Sequence, residues 1–353
     1  MTSLPFEPPV DPMLAKLQHE IPRGEGWRYE PKWDGFRALV FRDGQGVHIQ
    51  SRDRRGLERF FPELVPALAR AFPPGCVVDG EIILAGPEGL EFDRLQLRLH
   101  PAESRIRRLS AEIPASFVAF DLLAQDGQDL RSAPFDERRA RLESVVGTEA
   151  TERLPVGETV VLLTPRTDDP DVATDWFDRF EGLGLDGVIA KQADQRYVPG
   201  KREMVKVKHR RTADCVVVGY RLSKTGDEIG SLLLGVYDDA GRMHFLGHTS
   251  AFKAAERREI LERVRPLETT MEAALEAALG GLEGVDPARM AGGPSRWSRG
   301  REAAFVPLEP VLVVEVTYDH LQGDRFRHAA GFVRWRIDKA PHDCRFDQLG
   351  SRP

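Results

Sequence analysis

The sequence has few of the features that mark membrane, secreted or zinc-binding proteins. No apolar run approaches the roughly 20 residues of a membrane-spanning helix. The N-terminus lacks the basic segment and apolar core of a secretory signal. The three cysteines, Cys76, Cys215 and Cys344, have no zinc-binding spacing, and the nine histidines form no metal-binding pattern. We therefore expect a cytoplasmic protein in a reducing compartment.

An excess of positive charge is also missing. The 353 residues carry a formal net charge of −6, which argues against a uniformly basic nucleic-acid-binding protein but is compatible with a local basic surface. Lysine and arginine are concentrated in residues 201–211 and 325–339. Each cluster alone fits a solvated face equally well. With 41% hydrophobic and 30% charged residues, the composition is that of a soluble globular protein long enough for two domains.

Hydrophobic periodicity and turn residues predict an α+β protein of two parts, 1–211 and 212–353. In the first part we predict helices over 13–20, 57–72, 135–146 and 170–182, and a helical stretch over 92–109 with a break near Pro101. We predict strands there over 36–41, 47–50, 76–84, 116–123, 160–163, 185–191 and 204–208. The second part shows short strands over 215–221, 232–237, 244–247, 311–318 and 331–335, with one helix over 253–265. This pattern is typical of a small Greek-key barrel of the OB type. Residues 271–284 form a predicted helical insertion, to which we assign no chemistry.

The most informative stretch surrounds Lys32. Lys32 stands two residues before an Asp34-Gly35 turn, with Glu30 upstream and Arg37 downstream. Pro31 keeps its neighbour extended, and the Asp-Gly pair permits a sharp turn before an apolar run. A lysine at such a polar corner can be a nucleophile, or an ordinary surface lysine beside a hairpin. This stretch alone does not decide between the two.

Three further segments place charged side chains on predicted strands. A carboxylate on a buried strand needs a partner, and alternating residues of a strand share one face. Two lysines on one face normally point to water, but in a cleft they call for an anion. The residues concerned are Asp79 and Glu81 on the strand over 76–84, Asp186 and Lys191 on the strand over 185–191, and Lys206 and Lys208 on the strand over 204–208.

Seven segments, taken in their order along the chain, resemble those of the ATP-dependent DNA ligases of the covalent nucleotidyltransferase superfamily. The resemblance is strongest to the small bacterial two-domain type. The matching segments are 32–37, 51–52, 79–81, Phe120, 186–191, 206–208 and 336–339. The resemblance implies a nucleotidyltransferase (ATP-grasp-like) domain of antiparallel sheets with helices over 1–211, followed by an OB-fold β-barrel over 212–353. It also implies nick sealing between 3′-hydroxyl and 5′-phosphate ends through a covalent lysine-AMP intermediate, in DNA repair.

The resemblance assigns roles to individual residues. Those implied in catalysis are Lys32, Asp34, Lys206, Lys208, Asp338 and Lys339. Those implied in binding ATP are Glu30, Lys32, Arg37, Arg52, Glu81, Phe120, Lys191, Arg202, Lys206, Lys208 and Arg336. Those implied in binding Mg²⁺, or Mn²⁺ in its place, are Asp34, Glu81 and Asp186. Asp186 departs from the glutamate usual in the family, so a contact with metal there can be direct or through water.

The chemistry of these residues is consistent with such roles. A lysine-AMP bond needs a neutral amine, whereas free lysine titrates near ~10.4. We expect nearby cations to lower the pKa of Lys32 and to bind the triphosphate; these cations are Lys191, Lys206, Lys208 and a bound metal. We also expect Glu81 to accept from the ribose, Phe120 to stack on the adenine and Glu30 to accept from the adenine amino group.

Several alternatives remain open at this stage. The same fold serves RNA ligases and mRNA-capping guanylyltransferases, and an inactive nucleic-acid-binding module would also keep it. We expect a monomer that contacts nicked double-stranded DNA mainly through phosphates. The expected contacts are Arg52, Arg54, Arg55, the arginines between 94 and 108, Arg210 and Arg211. A Ku-type end binder, a primase or a polymerase is a partner suggested by the resemblance alone. The choice among nicks, gaps and double-strand breaks, and between ribo and deoxyribo 3′ ends, is not encoded in these motifs.

Overall fold

The computed structural model describes residues 4–147, 154–179, 185–209, 211–223, 225–279 and 305–349. The chain divides into two compact units, Met1–His209 and Arg210–Pro353. Within the described residues, no helix is long and apolar enough to cross a membrane.

The first unit is built on two sheets. Its strands are β1 (Leu14–Gln18), β2 (Trp27–Pro31), β3 (Phe36–Arg42), β4 (Val47–Ser51), β5 (Cys76–Ile83), β6 (Ala85–Gly86), β7 (Gly89–Leu90), β8 (Ser116–Gln125), β9 (Gln128–Asp129), β10 (Val161–Leu163), β11 (Val188–Gln192) and β12 (Arg202–Val207). Its helices are α1 (Leu64–Ala71), α2 (Phe92–Gln96), α3 (Glu103–Glu112), α4 (Phe135–Val145) and α5 (Pro170–Arg179). One sheet has the order β1-β12-β11-β2. The other has the order β10-β8-β5-β3-β4, with β9 beside β8, and β6 pairs with β7.

The larger sheet is buried on both faces because apolar residues occupy both sides of its central strands. On one face, Leu39 and Val77 pack with Met204 of β12. On the other face, Val40 and Val78 belong to a core that includes residues of α1, α3 and α4. Alternation along a strand sends neighbouring side chains to opposite faces, so one strand serves both cores. Asp79 and Glu81 share the face of Val77 on β5, which is the face that packs with Met204 of β12.

The prediction of a helix over residues 13–20 is wrong. Leu14–Gln18 forms β1, which runs parallel to β12. The backbone groups of β1 pair with those of β12, which lies near the other end of the first unit in sequence. A partner so distant leaves no pattern in the residues around β1. The helix predicted over 57–72 is also too long, since α1 covers only Leu64–Ala71. Residues 180–182 of the helix predicted over 170–182 lie outside the described residues.

The second unit has the predicted strand-rich pattern. Its elements are β13 (Arg211–Leu222), β14 (Ile229–Tyr237), β15 (Met243–Thr249), α6 (Glu256–Val264), α7 (Met271–Leu279), β16 (Val306–Pro307), β17 (Val313–Tyr318), β18 (Leu321–Gln322), β19 (Arg325–Phe326) and β20 (Gly331–Trp335). The sheet order is β15-β14-β13-β17-β20. A parallel bridge between Thr249 and Ala330 joins the two outer strands at their ends. This closure and the helix α6 after the third strand confirm the predicted OB fold. Of the predicted insertion, α7 covers 271–279, and 280–284 lie outside the described residues.

Candidate active site

Backbone pairing brings Lys32 beside Asp186. Lys32 follows β2, and Asp186 precedes β11, which is the antiparallel neighbour of β2. The Lys32 N–H donates to the Gly187 carbonyl at 2.8 Å, and the Asp186 N–H donates to the Lys32 carbonyl at 2.9 Å. Gly187 has a φ of +122°, and a Cβ there would lie 2.0 Å from the Val207 carbonyl oxygen. Only glycine permits this approach of the strands.

One carboxylate oxygen then holds two lysines. Lys32 Nζ lies 2.5 Å from Asp186 Oδ2, and Lys208 Nζ lies 2.6 Å from the same oxygen. Asp186 is 8% exposed, so both ion pairs are largely shielded from solvent. The side chain of Lys32 remains partly open. The predicted nucleophile is therefore oriented by a fixed anion.

This geometry overturns the expectation that nearby cations lower the pKa of Lys32. Burial lowers the pKa of Lys32, but the charge and hydrogen bond of Asp186, together with Asp34 and Glu81, raise it above the ordinary value. The pKa that is lowered is that of Lys206, because of its burial and the charges of Lys208 and Lys32. The physical reason is that Lys32 has an anion at hydrogen-bond distance.

The predicted nucleotide-binding residues share one cleft of about 190 Å³ in the first unit. Those that line it are Glu30, Lys32, Arg37, Arg52, Glu81, Phe120, Lys191, Arg202 and Lys206. Lys208 and Asp186 join Lys32 at this cleft through the shared ion pairs. Burial raises the pKa of Glu81 to about 8, although Lys32 and Arg37 oppose the shift. Glu81 is thus able to donate as well as accept near neutral pH.

One end of the cleft is built around the ring of Phe120. Lys191 Nζ donates to the Phe120 carbonyl at 3.2 Å and lies 2.7 Å from Glu30 Oε2. Arg139 Nη1 lies 3.3 Å from Glu30 Oε1. All three charged side chains of this cluster are at most 3% exposed. The structure thus ties Lys191, expected among the phosphate ligands, to Glu30 and Phe120. Arg139 was not foreseen, because its position within an amphipathic helix gave no sign of a buried partner.

The buried carboxylate Asp79 has the partner that its strand called for. Arg37 donates to it from Nη2 at 2.6 Å and from Nε at 3.0 Å. The Tyr197 hydroxyl donates to it at 2.7 Å. The Arg37 guanidinium carbon lies 5.4 Å from the Phe120 ring centroid. Arg37 is therefore fixed from behind while it lines the cleft. Tyr197 was missed, since an isolated tyrosine in a loop carries no pattern.

The three expected metal ligands do not form a ready-made cluster. Across the described ranges, no three acidic, histidine or cysteine side chains converge to hold a metal. Asp186 is engaged by Lys32 and Lys208, whereas Asp34 and Glu81 act on Lys32 at longer range. In this structure the three carboxylates act together on one lysine, Lys32. Their binding of Mg²⁺ stays a prediction.

The expected second-unit residues form a charge cluster of their own. Arg336 Nη1 lies 2.8 and 2.9 Å from the two oxygens of Asp214, and Lys339 Nζ lies 2.9 Å from Asp214 Oδ2. Arg336 Nε and Nη2 each donate to Asp338 at 2.9 Å. These hydrogen bonds lower the pKa of Asp338 to about 2. Asp214 begins no recognisable motif, and sequence reasoning missed it.

The expected DNA-contacting arginines fall into two groups. Arg52, Arg54 and Arg55 are exposed, as are Arg105, Arg107 and Arg108 of α3. Arg98, within the same predicted stretch, is fully buried and held by Glu63 at 2.6 Å. A contact between Arg98 and DNA is therefore wrong, because its side chain supports the core. Arg210 lies outside the described residues.

The chain is similar to known proteins over both units. Residues 12–208 match the model of the ATP dependent DNA ligase domain, and residues 225–339 match that of the ATP dependent DNA ligase C terminal region. DNA ligase C2 of Mycolicibacterium smegmatis is 50% identical over 358 residues, covering 99% of this chain and 97% of the relative. DNA ligase C of Mycobacterium tuberculosis is 49% identical, with 98% and 95% covered. A solved structure described in a study of Lig E DNA ligases is 20% identical, covers 92% of this chain and 99% of its own, and superposes with a TM-score of 0.54. That likeness shows the fold alone. By its sequence relatives and family models, the chain belongs to the ATP-dependent DNA ligases.

Proposed function

We propose that the protein seals nicks in double-stranded DNA during repair and that Lys32 carries AMP covalently between two steps. The single observation that carries this proposal is the position of Lys32, paired with Asp186 at 2.5 Å in the cleft that Glu81 and Phe120 also line. Family membership supports DNA as the substrate and ATP as the nucleotide.

The proposed reaction has three steps. Lys32 Nζ attacks the α-phosphorus of ATP, a phosphorus–nitrogen bond forms, and the bond to the β-phosphate breaks to release pyrophosphate. The proton leaving Lys32 has Asp186 Oδ2 as its nearest acceptor. An oxygen of the DNA 5′-phosphate then attacks the phosphorus of AMP, an oxygen–phosphorus bond forms, and the phosphorus–nitrogen bond breaks so that Lys32 leaves as its amine. Finally the 3′-hydroxyl attacks the 5′-phosphate and expels AMP, which restores the backbone.

The residues at the Phe120 end are suited to a nucleoside. Phe120 offers a ring face for the adenine, and Glu81 exchanges a hydrogen bond with the ribose. Both oxygens of Glu30 already face cations, Lys191 and Arg139. An adenine amino group would therefore share Glu30 with Lys191 and Arg139. The contact between Glu30 and adenine stays a prediction.

The residues at the Asp186 end are suited to phosphates and a magnesium ion. Lys206 and Arg52 line the cleft and supply positive charge near Lys32 and Asp186. Arg202 lines the same cleft. Magnesium is usually held by one or two carboxylates together with substrate phosphates and waters, so Asp186 and Glu81, with Asp34 nearby, fit it without a three-ligand cluster. When bound, magnesium would neutralise phosphate charge. Lys32 must leave Asp186 before it can attack.

Replacement of Phe120 by leucine is expected to raise the KM for ATP about tenfold, because base–aromatic stacking contributes ~1–3 kcal/mol. The rate at saturating ATP should change little. The measurement is the ATP dependence of AMP transfer to the protein. Phe60→Leu, outside the cleft lining, is the control. An unchanged KM in Phe120→Leu would remove Phe120 from the adenine site.

The overall proposal is tested by incubating the protein with α-labelled ATP or GTP and then with nicked substrates. We expect a covalent adduct with ATP and sealing of a nicked DNA duplex in the presence of Mg²⁺. An adduct formed only with GTP would favour the capping-type alternative, and sealing of RNA alone would favour an RNA ligase. A panel of nicks, short gaps and breaks with ribo or deoxyribo 3′ ends defines the natural substrate.

A further inference from the structure

The hydroxyl of Tyr197 lies between the N-terminal part of the chain and a buried carboxylate. The Met13 N–H donates to the Tyr197 hydroxyl oxygen at 2.9 Å, and this hydroxyl donates to Asp79 Oδ2 at 2.7 Å. A backbone N–H can only donate, and a tyrosine hydroxyl carries a single proton. The two hydrogen bonds therefore have a fixed direction, from Met13 through Tyr197 to Asp79.

The surroundings of Tyr197 keep its hydroxyl a donor. Tyr197 is 3% exposed and Asp79 is fully buried, so the carboxylate takes its hydrogen bonds from side chains rather than from bulk water. Burial and the charge of Asp79 raise the pKa of Tyr197 well above its ordinary value. Among the side chains that the structure describes, only Tyr197 and Arg37 donate to Asp79.

The groups on both sides of this hydroxyl are anchored. The Tyr197 N–H donates to the Arg131 carbonyl at 2.9 Å. Met13 is fully buried, and the next residue, Leu14, donates its N–H to the Lys201 carbonyl at 2.7 Å. The hydroxyl is thus held at a defined position before it meets Asp79.

Asp79 carries this restraint to the cleft through Arg37. The two oxygens of Asp79 accept from Arg37 at 2.6 and 3.0 Å. Arg37 lines the cleft, and its guanidinium carbon lies 5.4 Å from the Phe120 ring centroid. A ligand that stacks on Phe120 would therefore meet Arg37 beside the ring. A two-point pair fixes the guanidinium plane relative to the carboxylate, so the orientation of Arg37 depends on that of Asp79.

We propose that Tyr197 is a positioning residue for ATP, whose hydroxyl keeps the Asp79 carboxylate from turning and thereby holds Arg37 beside Phe120. Without the hydroxyl, Arg37 would be the only side chain holding Asp79, and the pair could turn together away from the nucleotide. Tyr197 acts through Asp79 and Arg37 and is not among the residues that line the cleft. The inference rests on the proposed binding of ATP in this cleft.

The test is Tyr197→Phe, which keeps the ring and removes the hydroxyl. We expect the KM for ATP in AMP transfer to the protein to rise about fivefold, with the rate at saturating ATP within about twofold of the wild type. Tyr29→Phe is the matched control. Tyr29 is another buried tyrosine of the first unit, and its hydroxyl donates to the Pro22 carbonyl at 2.6 Å. The KM of Tyr29→Phe should equal that of the wild type.

A double-mutant cycle with Arg37→Gln shows whether the effect of Tyr197 passes through Arg37. We expect Arg37→Gln alone to raise the KM for ATP more than Tyr197→Phe does. Adding Tyr197→Phe to Arg37→Gln should then change the KM less than about twofold, because the positioned group is already gone. Effects of the two substitutions that multiply would give Tyr197 a general structural role and would overturn the inference.

The other outcomes are also decisive. A KM raised by Arg37→Gln but unchanged by Tyr197→Phe would overturn the inference, as would an equal rise in Tyr29→Phe. Asp79→Asn removes the charge of the intermediate carboxylate and serves if Tyr197→Phe does not fold; an unchanged KM there would overturn the inference equally. An unchanged KM in both Arg37→Gln and Tyr197→Phe would refute the proposed nucleotide site together with the inference.

Discussion

Lys32→Arg is expected to abolish the protein-AMP adduct, with AMP transfer reduced about 10⁴-fold or more. Arginine keeps the positive charge that Asp186 binds at 2.5 Å, but its guanidinium stays protonated and is a poor nucleophile. The variant therefore separates the chemistry of Lys32 from its ion pair. The measurement is the mass of the intact protein after incubation with ATP and Mg²⁺, supported by retention of α-labelled phosphate.

The same variant should still seal a nick that already carries AMP, since the last step does not use Lys32 as a nucleophile. Lys253→Arg, at a lysine whose side chain is 84% exposed, is the control and should form the adduct normally. An adduct in Lys32→Arg would assign AMP to another residue and would end the proposed mechanism.

Asp186→Asn is expected to slow AMP transfer about 10²- to 10³-fold, the range found when one fixed electrostatic group is removed from an active site. Asp186 binds Lys32 and Lys208 through one oxygen. Its loss would misplace the nucleophile, remove the nearest proton acceptor and remove one carboxylate available to magnesium. The measurement is single-turnover transfer of labelled AMP as a function of Mg²⁺ concentration.

The pKa of Lys32 provides a second test of Asp186→Asn. In this test the reactivity of Lys32 should rise, whereas AMP transfer should fall. Asp186 raises the pKa of Lys32 above its ordinary value, whereas burial lowers it. Removal of the Asp186 charge leaves burial in place, so the pKa should fall and the neutral fraction of Lys32 at a given pH should rise. Acylation of Lys32 by an amine-specific reagent, without ATP or metal, should therefore become faster and begin at lower pH.

The two measurements on Asp186→Asn have a control variant nearby in sequence. Asp194→Asn, at an exposed position close in sequence, should change neither AMP transfer nor acylation. If Lys32 in Asp186→Asn were acylated no faster than in the wild type, Asp186 would not govern its protonation. Asp186→Glu restores the residue usual in the family, and its Mg²⁺ dependence would show whether the shorter side chain weakens metal binding.

The sequence could predict the strands and motifs whose signals are local. Alternating apolar residues and Asp-Gly turns located the hairpin of β3 and β4, the buried strand β5 and the strand β11. The strand β2 before Lys32 was not predicted. The same reasoning failed for β1, whose partner β12 lies almost 190 positions further along the chain. A short segment between prolines has no periodicity long enough to reveal a distant partner.

For the active site, the sequence determined which residue types are present and in what order. Lys32, Glu81, Phe120 and Asp186 were identified through the resemblance, because their segments follow one another along the chain in the order typical of the family. Tertiary structure alone decided which charges meet. It paired Asp186 with both Lys32 and Lys208, tied Lys191 to Glu30 and brought Asp214 to Arg336. The direction of the pKa shift of Lys32 depends on such distances, because electrostatic energies change steeply over a few ångströms in a buried site. A motif lists the charges of an active site without their separations, and the separations decide its protonation.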